Sequence, residues 1–182
     1  MVAASKLQGA QRLTTGTSST EAYSLGALVL VIATATIIAA LGFEHIGKYL
    51  PCPLCLQQRY AYYAGIPATF LALVLVSSGH RRIAGLIFFA VCLAFLVNTG
   101  LGVYQSGAEW GWWPGPQTCG TVQTIGGTSG GLLDKLDATK VVKCDEASWR
   151  MAFLSFAGWN AVVSLLLAIA SLKAAFAAVP QD

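Results

Sequence analysis

Two of the five cysteines lie close together, in a stretch that reads Pro51-Cys52-Pro53-Leu54-Cys55. A thiol pair with this spacing can cycle between dithiol and disulfide, and the exchange reaction needs a thiolate. Proline is favoured at the first position of a helix and disfavours helix at the preceding residue, so a helix is predicted to begin near Pro53 with Cys52 at its cap. The unpaired N–H groups and the positive dipole end of such a helix stabilise a thiolate. A structural disulfide is the alternative, but so small a ring restrains little of the chain.

Arg59 follows Cys55 by four residues. On a helix this spacing places both side chains on one face, about 6 Å apart along the axis. A guanidinium close to a bilayer is costly unless it has a partner or a function. It could hold the Cys55 thiolate or donate hydrogen bonds to an oxygen of a bound cofactor. An interfacial arginine that extends to the lipid headgroups is an equally good reading of the residue alone.

The remaining cysteines are farther apart. A bond between Cys119 and Cys144 would close a loop of 26 residues, and loop entropy gives such a crosslink roughly 3.5 kcal/mol. This pair could therefore be a structural disulfide or a second redox pair. A zinc site formed by all four cysteines is a weaker alternative, because structural zinc sites use two short-spaced pairs. Cys92 is interpreted as a small apolar residue within a membrane helix.

The composition indicates the elements that must position these cysteines. Of 182 residues, 55% are hydrophobic and only 10% are charged, against a usual charged share of about 25%. Apolar stretches run over about 25–43, 60–76, 83–103 and 153–172, each long enough to cross a bilayer as a helix. The fold class is therefore an all-α integral membrane protein, a four-transmembrane-helix bundle. A net charge of +3, spread along the chain, excludes a nucleic-acid-binding surface.

We treat residues 1–182 as a single membrane domain. Residues 1–22 form a Ser/Thr-rich lead that is predicted to be disordered. A short loop at 44–59 carries the dithiol, and a long glycine-rich loop at 104–152 carries Cys119 and Cys144. Since two spans separate these loops, both are predicted to lie on one side of the membrane.

The orientation in the membrane is less well determined by charge. Basic residues number five on the side of the termini and six on the cysteine side, so the positive-inside rule does not decide. The pair Arg81-Arg82 in a short turn favours cytoplasmic termini. Because disulfides persist in oxidising compartments, we expect a bacterial inner-membrane protein whose cysteine loops are periplasmic and whose termini are cytoplasmic.

Three stretches of the sequence resemble the DsbB family of quinone-coupled, disulfide-forming membrane oxidases. Residues 43–60, which include the dithiol and Arg59, resemble the first periplasmic loop and the start of the second helix of that family. Residues 109–119, from Glu109 through Trp-Gly-Trp-Trp-Pro-Gly-Pro to Cys119, resemble the segment before its third cysteine. Residues 144–160 resemble the approach to its fourth helix. The resemblance extends over nearly the whole chain after about residue 24.

The resemblance implies a relay of electrons. A periplasmic DsbA-like oxidase of the thioredoxin fold would attack the Cys119–Cys144 disulfide at Cys119, and Cys144 would pass the electrons to Cys52. Cys55 would then face a quinone, ubiquinone or menaquinone, which the respiratory chain reoxidises. The residues implied for quinone binding are Arg59, Gln58, Tyr62 and Glu109. No metal is implied.

The chain departs from the family pattern in one place near the implied quinone site. Many members have a histidine just before the Gly-x-Glu segment, where this chain has Gln105-Ser106. Gln105 or Glu109 is a weaker substitute for it. Two other functions remain open from the residues: a membrane scaffold or assembly factor stapled by disulfides, and a transporter that exports reductant through thiols.

Overall fold

The computed structural model describes residues 2–49, 51–115, 122–124, 139–141, 150–151 and 153–179, and most of these belong to four long helices. Helix α1 spans Val2–His45, α2 spans Pro53–Ser77, α3 spans Arg81–Glu109 and α4 spans Phe156–Ala178. All four are long and apolar enough to cross a membrane, α1 from Ser19 onward. The predicted four-span helical membrane protein is confirmed.

The helices extend beyond the apolar stretches that predicted them. Helix α1 begins at Val2, within the lead for which the composition predicted disorder. No proline interrupts this segment, and its alanines, leucines, glutamines and lysine are good helix formers, which accounts for the difference. Helix α3 continues past residue 103 to Glu109. It therefore carries Gln105 and Glu109, which the sequence had placed in the long loop.

The four helices pack in a ring, with the main contacts between α1 and α2, α2 and α3, α3 and α4, and α4 and α1. Small residues allow the closest approach. A Cβ added at Gly102 of α3 would lie 2.9 Å from the Cβ of Ala161 of α4. Such small-residue contacts are typical of membrane helix pairs, where van der Waals packing replaces the hydrophobic effect as the driving force.

The bundle interior holds the core. Its largest fully buried apolar side chains are Phe88, Phe95, Leu167 and Val29. Cys92 is buried among them with a free thiol, as expected for a packing residue. Large apolar side chains also cover the outside of the bundle, among them Val31, Leu86, Val97 and Phe176, as a lipid-facing surface requires.

Two short antiparallel strand pairs lie between α3 and α4, and the sequence did not predict them. Strand β1 (Val122–Thr124) pairs with β2 (Thr139–Val141), and β3 (Arg150–Met151) pairs with β4 (Leu154–Ser155). Ser155, the last residue of β4, caps α4, because its side chain accepts a hydrogen bond from the Gly158 amide at 3.2 Å.

An aromatic cluster joins the end of α1 and the loop after it to the start of α4. The rings of Phe43 and Phe156 lie 5.0 Å apart, and that of Tyr49 lies within 6.4 Å of both. The edge-to-face arrangement of these rings is a favourable one. The cluster fixes the short loop at the same end of the bundle as the dithiol that follows it.

Candidate functional site

Cys52 and Cys55 form a disulfide at the N-terminus of α2. Cys52 is the N-cap residue, Pro53 occupies the first position of the helix, and the Cys55 amide donates to the Cys52 Sγ at 3.1 Å. The predicted helix start is confirmed. The Cys52 side chain is buried, and that of Cys55 is half-buried. The sulfur pair thus lies at the positive end of a helix, partly shielded from solvent, where a thiolate is stabilised.

Gln105, near the end of α3, contacts both sulfurs. Its Nε2 lies 3.4 Å from the Cys52 Sγ and 3.3 Å from the Cys55 Sγ, while its Oε1 is 3.9 Å from the Cys55 Sγ. The amide nitrogen therefore faces the disulfide. The contact also brings the start of α2 and the end of α3 to one end of the bundle, as counting spans predicted for the two cysteine-bearing loops.

The Gln105 amide is held by two further side chains. Gln58 of α2 donates from Nε2 to the Gln105 Oε1 at 2.7 Å. The Gln105 Nε2 also donates to the Glu109 Oε1 at 3.4 Å. Both glutamines are almost fully buried, with 5% and 4% of their surface exposed. Buried amides are costly unless their hydrogen bonds are made, so this arrangement fixes which end of Gln105 faces the sulfurs.

A chain of hydrogen bonds continues from Gln58 into the bundle. Asn160 of α4 donates from Nδ2 to the Gln58 Oε1 at 2.5 Å, and the Tyr62 hydroxyl donates to the Asn160 Oδ1 at 2.6 Å. The hydroxyls of Tyr62 and Ser164 lie 3.3 Å apart, and Asn98 donates to Ser164 at 2.9 Å. Polar side chains of α2, α3 and α4 are therefore linked from the disulfide to the bundle centre.

Tyr62 was predicted to line a quinone pocket, and its position is inside the bundle. It is 3% exposed, with its ring edge-on to Phe95 at 5.3 Å. Tyr60 and Tyr63, in contrast, are 67% and 49% exposed on the outside. The described contacts of Tyr62 are all with the bundle core, whereas Tyr60 and Tyr63 lie on the outer surface of the bundle.

Arg59 forms an ion pair with Glu44, the penultimate residue of α1, through its Nη1. The side chains are 13% and 26% exposed, so the pair is substantially shielded. Of the three guanidinium nitrogens of Arg59, Nη1 is the one with a hydrogen-bond partner among the residues that the structure describes. The sequence had not identified Glu44 as the carboxylate that neutralises Arg59. The two roles considered for Arg59, extension to the lipid headgroups and binding of a cofactor, did not include an ion pair with Glu44.

The segment that leaves α3 toward Cys119 is clamped against the helix. The Trp113 indole donates to the Tyr104 carbonyl at 2.8 Å and stacks on the Tyr104 ring at 6.0 Å. It also covers Gly107, where an added Cβ would lie 2.0 Å from the indole Cζ2. Gly111 has a φ of +74°, which suits glycine where the chain turns away from the helix.

Comparison with known proteins gives two matches. A family model described as disulfide bond formation protein DsbB matches residues 23–174. The chain belongs to the DsbB family. It is also 27% identical to a disulfide bond formation protein B of Marinobacter nauticus over 154 residues, which cover 80% of this chain and 86% of that protein. No solved structure matches the chain. The molecule is accordingly a disulfide-forming oxidoreductase of the membrane.

Apart from Tyr62, which is buried inside the bundle, the predicted site residues of this DsbB family member divide into three groups. Cys52, Cys55, Gln58 and Glu109 come together around Gln105. Arg59 lies one helical turn beyond Cys55 and is held by Glu44. Cys119 and Cys144 lie outside the described residues, and so does the pairing proposed for them. Among the described residues, no cluster of histidine, cysteine and acidic side chains could bind a metal ion.

Proposed function

We propose that this protein reoxidises a DsbA-like periplasmic oxidase and passes the electrons to a membrane quinone. The observation that carries the proposal is the Cys52–Cys55 disulfide at the N-terminus of a membrane helix, in a chain that belongs to the DsbB family. The partner, the quinone and the periplasmic location of the cysteines follow from the family resemblance and from the need of disulfides for an oxidising compartment.

The electron route is a series of thiol–disulfide exchanges. A partner thiolate attacks Cys119, forming a mixed disulfide and releasing Cys144 as a thiolate. The second partner thiol then releases the partner in its oxidised form. Cys144 attacks Cys52, which breaks the Cys52–Cys55 bond and leaves Cys55 as a thiolate. Cys144 is now bonded to Cys52; attack of Cys119 on Cys144 breaks this bond, restores the Cys119–Cys144 disulfide and releases Cys52. The two electrons and two protons then reside on Cys52 and Cys55.

Arg59 supplies a donor set that fits a quinone. Its guanidinium carries five N–H donors, and only Nη1 is bonded to Glu44 within the described residues. The other N–H groups of Arg59 are suited to donate hydrogen bonds to a carbonyl oxygen of a quinone. A bound quinone would be the two-electron acceptor, and Cys52 and Cys55 would give up two electrons and two protons to it and return to the disulfide. Gln58 and Glu109 support this site through Gln105; Tyr62 supports it from within the bundle, through Asn160.

The direction of electron flow sets a requirement on the Cys52–Cys55 pair. A DsbA-like partner has a reduction potential near about −120 mV, whereas structural disulfides lie below about −300 mV. A pair at the lower value could not oxidise such a partner. The helix N-terminus and the Gln105 N–H groups favour the thiolate, and stabilising the reduced form makes a disulfide more oxidising.

The test is a steady-state assay with the purified protein, a reduced DsbA-like protein and a soluble quinone. We expect one quinol for each partner disulfide formed, and loss of both products in Cys52→Ser and Cys55→Ser. Cys92→Ser is the matched control, because Cys92 is buried away from the site. Partner oxidation at the normal rate without the Cys52–Cys55 pair would refute the proposal and favour a scaffold. Oxidation without quinol formation would exclude the quinone.

Arg59 can be tested in the same assay. We expect Arg59→Ala to raise the quinone concentration needed for half-maximal rate, while the concentration dependence on the partner stays nearly constant. If Arg59→Ala instead changes the dependence on the partner and leaves the dependence on quinone constant, Arg59 serves the lipid interface or only the ion pair with Glu44.

A further inference from the structure

We propose that Asn160 and Gln58 are positioning residues that turn the Gln105 amide so that its N–H groups face the Cys52–Cys55 sulfurs and favour their reduced state. The inference concerns how the protein sets the potential of its redox pair. It rests on the proposed function only in taking Cys52–Cys55 as the pair that is oxidised and reduced.

The hydrogen bonds that link Tyr62 to Gln105 all run in the same direction. The Tyr62 hydroxyl donates to the Asn160 Oδ1, the Asn160 Nδ2 to the Gln58 Oε1, and the Gln58 Nε2 to the Gln105 Oε1. A side-chain amide has its acceptor and its donors on opposite sides. Fixing the orientation of Asn160 therefore fixes that of Gln58, which in turn fixes that of Gln105. Each donor in the chain points toward the disulfide.

The orientation matters because the two ends of Gln105 have opposite effects on a thiolate. The Nε2 group, 3.3 Å from the Cys55 Sγ, can donate to a negative sulfur, whereas the carbonyl oxygen would repel it. A hydrogen bond to an ionised acceptor is roughly twice as strong as one to a neutral acceptor. The bond thus stabilises the reduced pair more than the disulfide, and the disulfide becomes more oxidising.

The chain is suited to orienting rather than to conducting protons. Its links are amide groups, which hold both of their N–H protons and accept only through oxygen. Asn160 of α4 is bonded to Gln58 of α2, and Gln58 in turn is bonded to Gln105 of α3. The packing of three helices is thereby coupled to one contact at the sulfurs, which a single substitution on α4 can perturb from a distance.

The test is a double-mutant cycle on the equilibrium of the Cys52–Cys55 pair. Full-length protein with Cys119→Ser and Cys144→Ser is equilibrated with a series of glutathione redox buffers, and the disulfide fraction is read by mass after alkylation. We expect Gln105→Leu to make the pair about tenfold harder to reduce, which is about 30 mV. Asn160→Leu removes the donor to Gln58 and should shift the equilibrium about threefold in the same direction.

The decisive result is the combination of the two substitutions. If Asn160 acts through Gln105, Asn160→Leu changes the equilibrium by less than about twofold in the Gln105→Leu background. An unchanged equilibrium in the single Asn160→Leu variant overturns the proposal, as does a shift of equal size in both backgrounds. Should Asn160→Leu fail to fold, Tyr62→Phe removes the preceding donor and must show the same dependence on Gln105.

Ser171→Ala is the matched control for a buried polar substitution on α4. Its hydroxyl is buried and has no hydrogen-bond partner among the described residues, so the potential should stay constant. The measurement uses neither quinone nor partner protein. If Asn160 and Gln105 prove to be coupled but the protein does not turn over with quinone, the proposed function alone is refuted. If the protein turns over normally with quinone but Asn160 and Gln105 are not coupled, this inference alone is refuted.

Discussion

A methyl group at Gly107 is expected to release the segment that leads from α3 to Cys119. The added Cβ would lie 2.0 Å from the Cζ2 and 2.5 Å from the Cη2 of Trp113, far inside contact distance. Residue 107 lies in the last turns of α3 and is buried, so the helix backbone cannot move aside easily. The indole must leave its place in Gly107→Ala.

The cost follows from what Trp113 loses. Its hydrogen bond to the Tyr104 carbonyl, 2.8 Å long, contributes about 1 kcal/mol. Its stacking on the Tyr104 ring, with an interplanar angle of 13°, contributes about 1 kcal/mol more. The higher helix propensity of alanine offsets up to about 1 kcal/mol. The segment should therefore open about 5- to 30-fold more often, since 1.4 kcal/mol corresponds to about tenfold.

The assay is hydrogen–deuterium exchange of the peptide that covers residues 104–115, in detergent or nanodiscs. Its amides include Trp112 N–H, which donates to the Gly107 carbonyl at 2.9 Å. Gly100→Ala is the matched control on the same helix, because a Cβ there meets nothing within 4 Å. Protection in Gly107→Ala that equals or exceeds that of Gly100→Ala would refute the reasoning. Partner oxidation should also slow in Gly107→Ala.

Three further predictions concern the bundle and the site. Gly102→Leu should push α3 away from α4, because even a Cβ at residue 102 would lie 2.9 Å from that of Ala161. The free energy of unfolding should fall by about 1 to 3 kcal/mol and lower the midpoint of denaturant-induced unfolding. An unchanged midpoint would contradict the close packing. Tyr62→Phe removes a hydroxyl that is hydrogen-bonded to Asn160 and to the buried Ser164 and should lower the free energy of unfolding by about 1 to 2 kcal/mol; no loss would mean that these bonds are not formed in the membrane. Arg59→Ala leaves the shielded Glu44 carboxylate without its cation and should lower the free energy of unfolding by about 2 kcal/mol. Adding Glu44→Gln should restore most of this loss, because it removes the unpaired charge. Equal melting temperatures of the single and double variants would count against the ion pair.

Much of the fold was predictable because membrane spans are encoded locally. Four apolar stretches of sufficient length predicted four helices, and Pro53 predicted the start of α2 with Cys52 at its cap. The bounds were less predictable where polar residues continue a helix. Gln105 and Glu109 extend α3 because the bundle supplies partners for them, and hydropathy alone does not register such partners.

The site was predictable in its cysteines and not in its partners. The spacing of Cys52 and Cys55 indicated a redox pair, but nothing near Arg59 in the sequence pointed to Glu44, which lies fifteen residues earlier on another helix. The link from Gln58 to Asn160 joins residues 102 positions apart. Such pairings depend on how the helices are rotated and packed. An asparagine in the fourth apolar stretch was the available signal, since buried polar residues in membrane helices need partners.

The central claim is that the Cys52–Cys55 pair delivers its electrons directly to a quinone. A single-turnover experiment under anaerobic conditions tests it: the protein with Cys119→Ser and Cys144→Ser is fully reduced, freed of reductant and mixed with one equivalent of quinone. Mass after alkylation then reports the disulfide, and absorbance reports the quinol. We predict that one Cys52–Cys55 disulfide forms for each quinol, at the same rate. Quinol without the disulfide, or a dithiol that stays reduced beside excess quinone, would contradict the account.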